Sequence, residues 1–442
     1  MSKRGFLFLG VGAAAVVFSI LALLVSIFEH KQEAHTTFVK VAEIAVDEPD
    51  PAVWGRNFPA EYDAYKRTMN TSELTKYSEY GRYGGSEAFS RLDRYPDLKR
   101  LFAGYPFAVE YREERGHLRG IEDMLATKRL GDAKPGACMT CKSSQVPGLM
   151  KSLGPEKFYA TPVKELLFAY GIRFSISCAD CHDAGTQALQ TTRPAFKEAM
   201  AARGVDIAKA SHVDMRTYVC AQCHVEYYFK GPGKYLTFPW AQGLRIEDIE
   251  SYYDEIEFKD WEHAETRAPL VKMQHSEFEL WSSGIHARSG VSCADCHMPY
   301  KKEGAVKITD HWIRTPLSNP VNACGGCHRL PESELRARVL EIQDRTFELL
   351  TRAEKALVEA QDAIMAAMAA GVPDPGLAEA RALHRKAFIR WDFLSAENSC
   401  GFHSPQEAAR VLGDAIDYAR QCEISAVRAL ARPETPPEGG RR

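Results

Sequence analysis

The sequence predicts a mainly α-helical protein, with short helices and loops in the middle of the chain and long helices at its C-terminal end. Three observations carry this. From about residue 137 to 330 five Cys-x-x-Cys pairs recur in segments broken by Gly and Pro, such as Gly231-Pro232-Gly233, Pro316 and Pro320, with little strand alternation. From Pro331 onward Leu340, Phe347, Leu350, Ala353, Leu357 and Ile364 recur at spacings of 7, 3, 3, 4 and 7, the narrow seam of an amphipathic helix. An unbroken apolar run extends from Gly5 to Phe28.

Taken in order, Met1-Ser2-Lys3-Arg4 leads into that run, whose 24 residues reach about 36 Å as a helix, enough to span a bilayer with some tilt. A cleaved signal peptide has an apolar stretch of roughly 7–15 residues before a small-x-small site. This run is longer and passes directly into Glu29-His30-Lys31-Gln32-Glu33. Residues 1–28 therefore read as an uncleaved signal anchor, with a cleaved signal peptide as the alternative and Lys3 and Arg4 on the cytoplasmic side. A polar linker follows over 29–50. Residues 51–432 read as one unit. It opens with a stretch to about Gly136 that is rich in Tyr, Arg and Glu and forms several short helices. In its last part, 331–432, Gly371-Val372-Pro373-Asp374-Pro375 stops the first long helix; a second is expected from about Gly376 to Ala396 and a third from about Pro405 to Ala431. These helices either close over the centre of the same subunit or form a dimer interface. The Pro/Gly-rich tail, 433–442, is expected to be disordered.

Four of the five cysteine pairs are followed directly by histidine: Cys178/Cys181/His182, Cys220/Cys223/His224, Cys293/Cys296/His297 and Cys324/Cys327/His328. The other, Cys138/Cys141, is followed by Lys142. Cys-x-x-Cys-His is the spacing of covalent c-type haem attachment, where two thiols form thioethers and the next residue ligates iron. Zinc knuckles and redox dithiols do not require a histidine after each pair. Histidine is 14 of 442 residues, so four such placements by chance amount to about one in a million on composition alone. The lysine pair, in series with four haem sites, reads as a fifth. Five macrocycles attached in under 200 residues favour one compact haem-cored unit over a string of domains.

Ten of the 12 cysteines are used in this way. Cys400 and Cys422 remain, as a disulfide or as two buried thiols. Thioether attachment takes place on the outer face of the bacterial cytoplasmic membrane, which suits the export signal. The net charge of −3 and the lack of a basic run exclude nucleic acid as a partner. A bis-histidine haem needs a second axial ligand, and ten histidines lie outside the motifs: His30, His35, His117, His212, His263, His275, His286, His311, His384 and His403. His286, His311 and His403 stand near haem segments or a Gly-containing break; His384, inside a helix, is expected on the surface. Lysine must lose its proton to ligate iron, so Lys142 marks a haem unlike a plain relay, one whose opposite face is expected to be open.

This order of one Cys-x-x-Cys-Lys and four Cys-x-x-Cys-His motifs resembles the pentahaem cytochrome c nitrite reductase family, the ammonia-forming enzymes, over about residues 50–425. The resemblance implies a multihaem cytochrome c fold. Arg115-Gly116-His117, Gly284-Ile285-His286, Asp310-His311 and Gly401-Phe402-His403 are similar to the family segments that carry the distal ligands, implying His117, His286, His311 and His403. Cys223-His224-Val225-Glu226-Tyr227-Tyr228 and Lys272-Met273-Gln274-His275 resemble the stretches holding the active-site tyrosine, here Tyr227, and histidine, here His275. They also imply a calcium ion held by side-chain oxygens of Glu226 and Gln274 and main-chain carbonyls of Tyr227 and Lys272, hard ligands of the kind calcium takes. The family's active-site arginine falls on Arg129, with Arg119 and Arg112 as alternatives. Met139-Thr140 departs from the Trp-Ser of well-known members, and the loop between Arg129 and Cys138 is shorter.

The implied chemistry is six-electron reduction of nitrite to ammonium at the Lys142 haem, fed by four bis-histidine haems. Arg129 and His275 would hold the anion, His275 would donate protons and Tyr227 would position intermediates. The implied partners are a quinol-linked membrane multihaem cytochrome c or a soluble multihaem donor, and a second copy of the chain in a homodimer, with 331–432 as the helical dimerisation region. A non-catalytic electron-transfer cytochrome is the alternative. On the residues alone Tyr227 reads equally as haem packing, and Arg129 as a propionate partner.

Overall fold

A computed structural model describes residues 3–35, 40–69, 75–79, 90–112, 115–129, 134–304 and 306–431. The predicted tail, 433–442, lies outside the described residues, as do positions 1–2 of the apolar N-terminus and 36–39 of the linker. The N-terminal run is one helix, α1 (Lys3–His35), whose Gly10–Phe28 stretch has a mean hydropathy of 2.7 and buries none of its length in the protein.

From Pro51 to Ala323 the chain forms short helices and 3-10 turns, as expected for a backbone wrapped around large apolar groups. Among the described residues the strands form three antiparallel two-stranded hairpins: β1 (Tyr228–Lys230) with β2 (Tyr235–Thr237), β3 (Trp261–Glu262) with β4 (Pro269–Leu270), and β5 (Tyr300–Glu303) with β6 (Val306–Thr309).

Three long helices close the chain: α2 (Glu332–Ala369), α3 (Ala378–Ser395) and α4 (Pro405–Ala431). They pack on one another. Leu350, Ala353, Leu357, Ala360 and Ile364 of α2 are fully buried, facing Ala408, Val411, Leu412, Ala415, Ala419 and Cys422 of α4. The alanines let the backbones approach closely, and the leucines fill the space between, a ridge-and-groove contact. The predicted seam is thus the core of a three-helix unit within the subunit. Phe347 and Leu340 lie at its margin, half-buried.

Two expectations need correction or completion. His384 is not a surface residue. It is fully buried on α3, because a second polar group, Gln361 of α2, is buried opposite it and donates its amide N–H to the ring (3.2 Å to Nε2). Thr266, at the β3–β4 hairpin, accepts from its Nδ1 (3.2 Å), and His263 stacks edge-on at 5.4 Å. Helical periodicity shows which face a residue is on, not whether a partner helix brings a matching polar group. Cys400 and Cys422 are both buried and are not joined: the Cys400 thiol faces the Gln343 carbonyl at 3.3 Å, while Cys422 sits on α4 against α3.

Candidate haem and active site

All five cysteine motifs open onto one continuous cavity of about 1580 Å³, also lined by His117, His286, His311 and His403. Local sequence fixes how the motifs present themselves. Ser292 and Ser177 precede their motifs as N-caps, each backbone N–H donating to the aspartate inside the motif (Asp295 Oδ2 and Asp180 Oδ2, both 2.8 Å). These aspartates then bind arginines from elsewhere: Arg216 to Asp295 at 3.0 Å, and the fully buried Arg193 to Asp180 at 2.6 Å. Arg193 also donates to the carbonyls of Thr140 (2.6 Å) and Ser143 (3.2 Å), on either side of Lys142. Gln222, inside the third motif, donates to the Asp180 carbonyl at 2.9 Å and accepts from the Thr192 amide at 2.8 Å. The residues between the paired cysteines thus tie one attachment site to the next. The thiols of Cys141 and Cys223 lie against each other, as do those of Cys220 and Cys293, so the lysine motif abuts the third motif and the third abuts the fourth. The fifth is the most open: Cys327 and His328 are exposed.

Each motif histidine faces one of the four distal candidates. Ring centroids are 6.2 Å apart for His182–His311, 6.3 Å for His224–His117, 6.4 Å for His297–His403 and 6.2 Å for His328–His286. A metal–nitrogen bond of roughly 2 Å plus a ring radius of about 1.1 Å, doubled, gives about 6 Å between two axial imidazoles. The residues therefore fit four bis-histidine haems. The outward nitrogens support the same orientation: Nδ1 of His182, His297 and His311 face the carbonyls of Gln187 (3.0 Å), Arg314 (3.0 Å) and Thr309 (2.8 Å), leaving Nε2 for iron. Glycines bring the distal segments in: a Cβ on Gly284 would meet the His403 carbonyl at 2.1 Å, and Gly401 (φ 76°) lies against Thr346. His224 is deep in the molecule, its ring open only to the cavity, and burial lowers its pKa to about 4.

Lys142 lines this cavity together with Tyr227 and His275. His275 is one-third exposed, with its centroid 6.3 Å from His224 and its Nδ1 3.8 Å from Glu277 Oε1. Burial pushes the Glu277 carboxyl up, but His275 and His224 hold it down, to about 2. Asn398 donates to the same Glu277 oxygen at 2.7 Å. Arg129 does not line the cavity; its guanidinium stacks on Phe107 at 4.2 Å and its Nε donates to Thr127. Burial raises the pKa values of Tyr227 and Cys138, and Arg129 is near enough to oppose that rise slightly. The alternatives are held elsewhere, Arg119 by Glu122 and Arg112 by the Ala126 carbonyl.

Glu226 is fully buried. It accepts from the Tyr253 hydroxyl (2.7 Å) and the Gln274 amide (2.5 Å), and the Gln274 side chain donates to the Lys272 carbonyl (3.2 Å). A second buried carboxylate, Glu279, accepts from the Glu226 amide and from Trp240, both at 2.8 Å, and burial raises it to about 8. The Lys272 ammonium is engaged by Asp392 at 3.0 Å. Among the described residues no three His, Cys, Asp or Glu side chains form a metal cage, so a cation here must take carbonyl and amide oxygens beside Glu226. That donor set fits calcium.

Sequence reasoning missed Arg193, Gln222, Glu277 and Glu397. Arg193 and Gln222 stand among ordinary polar residues; the Ser-x-x-Asp pattern around Cys178 and Cys293 was the available signal for their partners.

The fold and the ligand pairs define a multihaem c-type cytochrome. The cytochrome c552 family model matches residues 50–437, and the chain belongs to that family. A cytochrome c-552 of Bacteroides fragilis is 42% identical over 429 residues, covering 95% of this chain and 85% of the relative. One of Porphyromonas gingivalis is 41% identical over 426 residues, covering 94% and 84%. The cytochrome c nitrite reductase of Desulfovibrio desulfuricans, whose catalytic subunit is described with two calcium sites, superposes with a TM-score of 0.81 at 34% identity, covering 89% of this chain and 90% of that one.

Proposed function

We propose that this chain reduces nitrite to ammonium at the haem bound by Cys138, Cys141 and Lys142. The observation that carries the reading is that four motif histidines each face a distal imidazole at axial-ligand distance, while the remaining motif, the first in the chain, carries lysine and shares its cavity with Tyr227 and His275. The similarity to the Desulfovibrio enzyme supports it.

The haems supply electrons and, at the lysine-bound iron, a Lewis-acidic position for the anion; the remaining work falls to side chains. His275, with Glu277 beside it, is placed to carry protons into the cavity, where conversion of nitrite to ammonium and water consumes eight protons with six electrons. The Tyr227 hydroxyl, its pKa pushed up by burial, stays a neutral donor that orients the bound nitrogen species. Arg129 acts through charge, favouring entry of an anion. Calcium held by Glu226, Gln274 and the carbonyls of Tyr227 and Lys272 would fix the two segments that carry Tyr227 and His275. His182, His224, His297 and His328, with distal His311, His117, His403 and His286, hold the relay haems.

The apolar Gly10–Phe28 helix supports an anchored protein on the periplasmic side of the membrane. The exposed fifth motif supports electron exchange there with a second copy or a multihaem donor, and Ile424, Val427 and Leu430 on the outer face of α4 support a homodimer. The test is anaerobic: haem-loaded protein, reduced viologen and nitrite, with ammonium quantified. Six viologens oxidised per nitrite with stoichiometric ammonium is the expected result; full haem loading without turnover would leave an electron carrier.

A further inference from the structure

Three of the outward ring nitrogens described above face neutral carbonyls. His403 differs. Its Nδ1 lies 2.6 Å from the Oε1 of Glu397, a fully buried carboxylate. The carboxylate acts on the ring through its charge and through this short contact. Glu397 is also held rigidly: its Oε1 accepts from the Ser399 amide (2.9 Å) and its Oε2 from the Gly401 amide (3.2 Å), while the Ser399 hydroxyl accepts from the His403 amide (2.9 Å). The loop is pinned to α2 through Gln343, which donates to the Ser399 carbonyl at 3.1 Å. This is more support than a loop needs merely to close the turn between α3 and α4.

We propose that Glu397 is a positioning residue that tunes the haem ligated by His297 and His403, making it a stronger electron donor than a carbonyl-backed bis-histidine haem would be. A ferric bis-imidazole haem carries one more positive charge than the ferrous form. A fixed negative charge behind one axial ring therefore favours the ferric state and raises the ligand's basicity. The electron count is simple: a one-electron couple with no bond made or broken. In the series of attachment sites this haem lies between the exposed fifth site and the third, which abuts the lysine motif. A relay poised more negative there drives electrons onward to the site where nitrite is reduced.

The inference rests on the ligand pairing, and the experiment separates the two. In holoprotein, His403→Ala should convert one low-spin haem signal to high-spin in the electron paramagnetic resonance spectrum; if all four low-spin signals persist, the pairing itself is wrong. With the pairing established, Glu397→Gln keeps the shape and an acceptor for the backbone amides but removes the charge. In a potentiometric titration the same haem should show at least a tenfold lower ferric-to-ferrous ratio at fixed potential, about 59 mV upward for a one-electron couple, with the other haems unmoved. Glu397→Asp, which keeps the charge but withdraws it by a methylene, should shift the haem the same way by less, and serves if the glutamine variant fails to load haem. Unchanged midpoints in a fully loaded variant that keeps its low-spin spectrum would overturn the proposal.

Discussion

The buried His384 network makes acid stability a direct test of the fold. Both rings are satisfied as neutral imidazoles. His263 donates from Nε2 to the Arg100 carbonyl (2.8 Å) and accepts the Thr266 amide at Nδ1 (3.2 Å); His384 meets Thr266 through Nδ1 and accepts the Gln361 amide at Nε2. A proton added to His384 would point at the Gln361 N–H. Burial, and secondly the neighbouring His263, lower the His384 pKa from 6.5 to about 3. The surrounding groups do not offset this: the Cys422 thiol against α3 is pushed up to about 12, and Glu265 and Arg100 face His263 and pair with each other. Because the folded value lies below the unfolded one, the unfolded chain takes up a proton first, and stability is lost as pH falls from 6.5 toward 3. Between pH 7 and pH 5 this one group removes about 2 kcal/mol. The perturbation is His384→Gln, compared with wild type by calorimetry at the two pH values. The variant should be the less stable at pH 7, and the gap should narrow by about 2 kcal/mol at pH 5, about 2 °C in Tm for a chain of this size. A gap of equal size at both pH values would refute the argument, since every other titrating group is common to both proteins.

Four further outcomes follow from the same structure. Lys142→His should retain five haems yet lose nitrite turnover by at least about 100-fold, read in the viologen assay beside the visible spectrum. His275→Asn should lower turnover by about 10²–10⁴-fold with haem content unchanged, the range for loss of a proton donor. Glu226→Gln should purify without stoichiometric calcium, measured by elemental analysis, and wild-type protein treated with a chelator should match its turnover. Arg193→Met leaves Asp180 buried without its partner and should destabilise the protein by about 3–5 kcal/mol, seen as a lower Tm at full haem occupancy.

Legibility followed the range of the interactions. The attachment motifs are local, so five haem sites, the odd lysine and the helical seam of Leu350, Ala353, Leu357 and Ile364 could be read from spacing alone. The distal histidines could not: ten candidates satisfied the arithmetic, and only resemblance selected four. The geometry is compatible with that selection, since His117, His286, His311 and His403 each stand 6.2–6.4 Å from a motif histidine, although His275 lies at 6.3 Å from His224 as well. His384 was misplaced because its partner, Gln361, comes from another helix. Arg193 and Glu397 were invisible because an arginine or glutamate in a polar stretch looks the same whether it meets water or a buried aspartate or imidazole.

These long-range polar contacts also explain why the haem region is one unit rather than five. A single haem-binding loop has little core of its own, and the short helices between Pro51 and Ala323 are too brief to be stable alone. What joins them, besides the haems, is a chain of buried links: Arg193 from the lysine motif to the second, Gln222 from the second to the third, and Arg216 from the third motif's helix to the fourth. The last distal candidate, His403, lies between α3 and α4, so the three-helix unit meets the haem cavity through that ring. Attachment at any one site therefore depends on geometry set by its neighbours. This arrangement favours a rigid relay of fixed spacing, which delivery of six electrons to one centre requires, over independently mobile carriers.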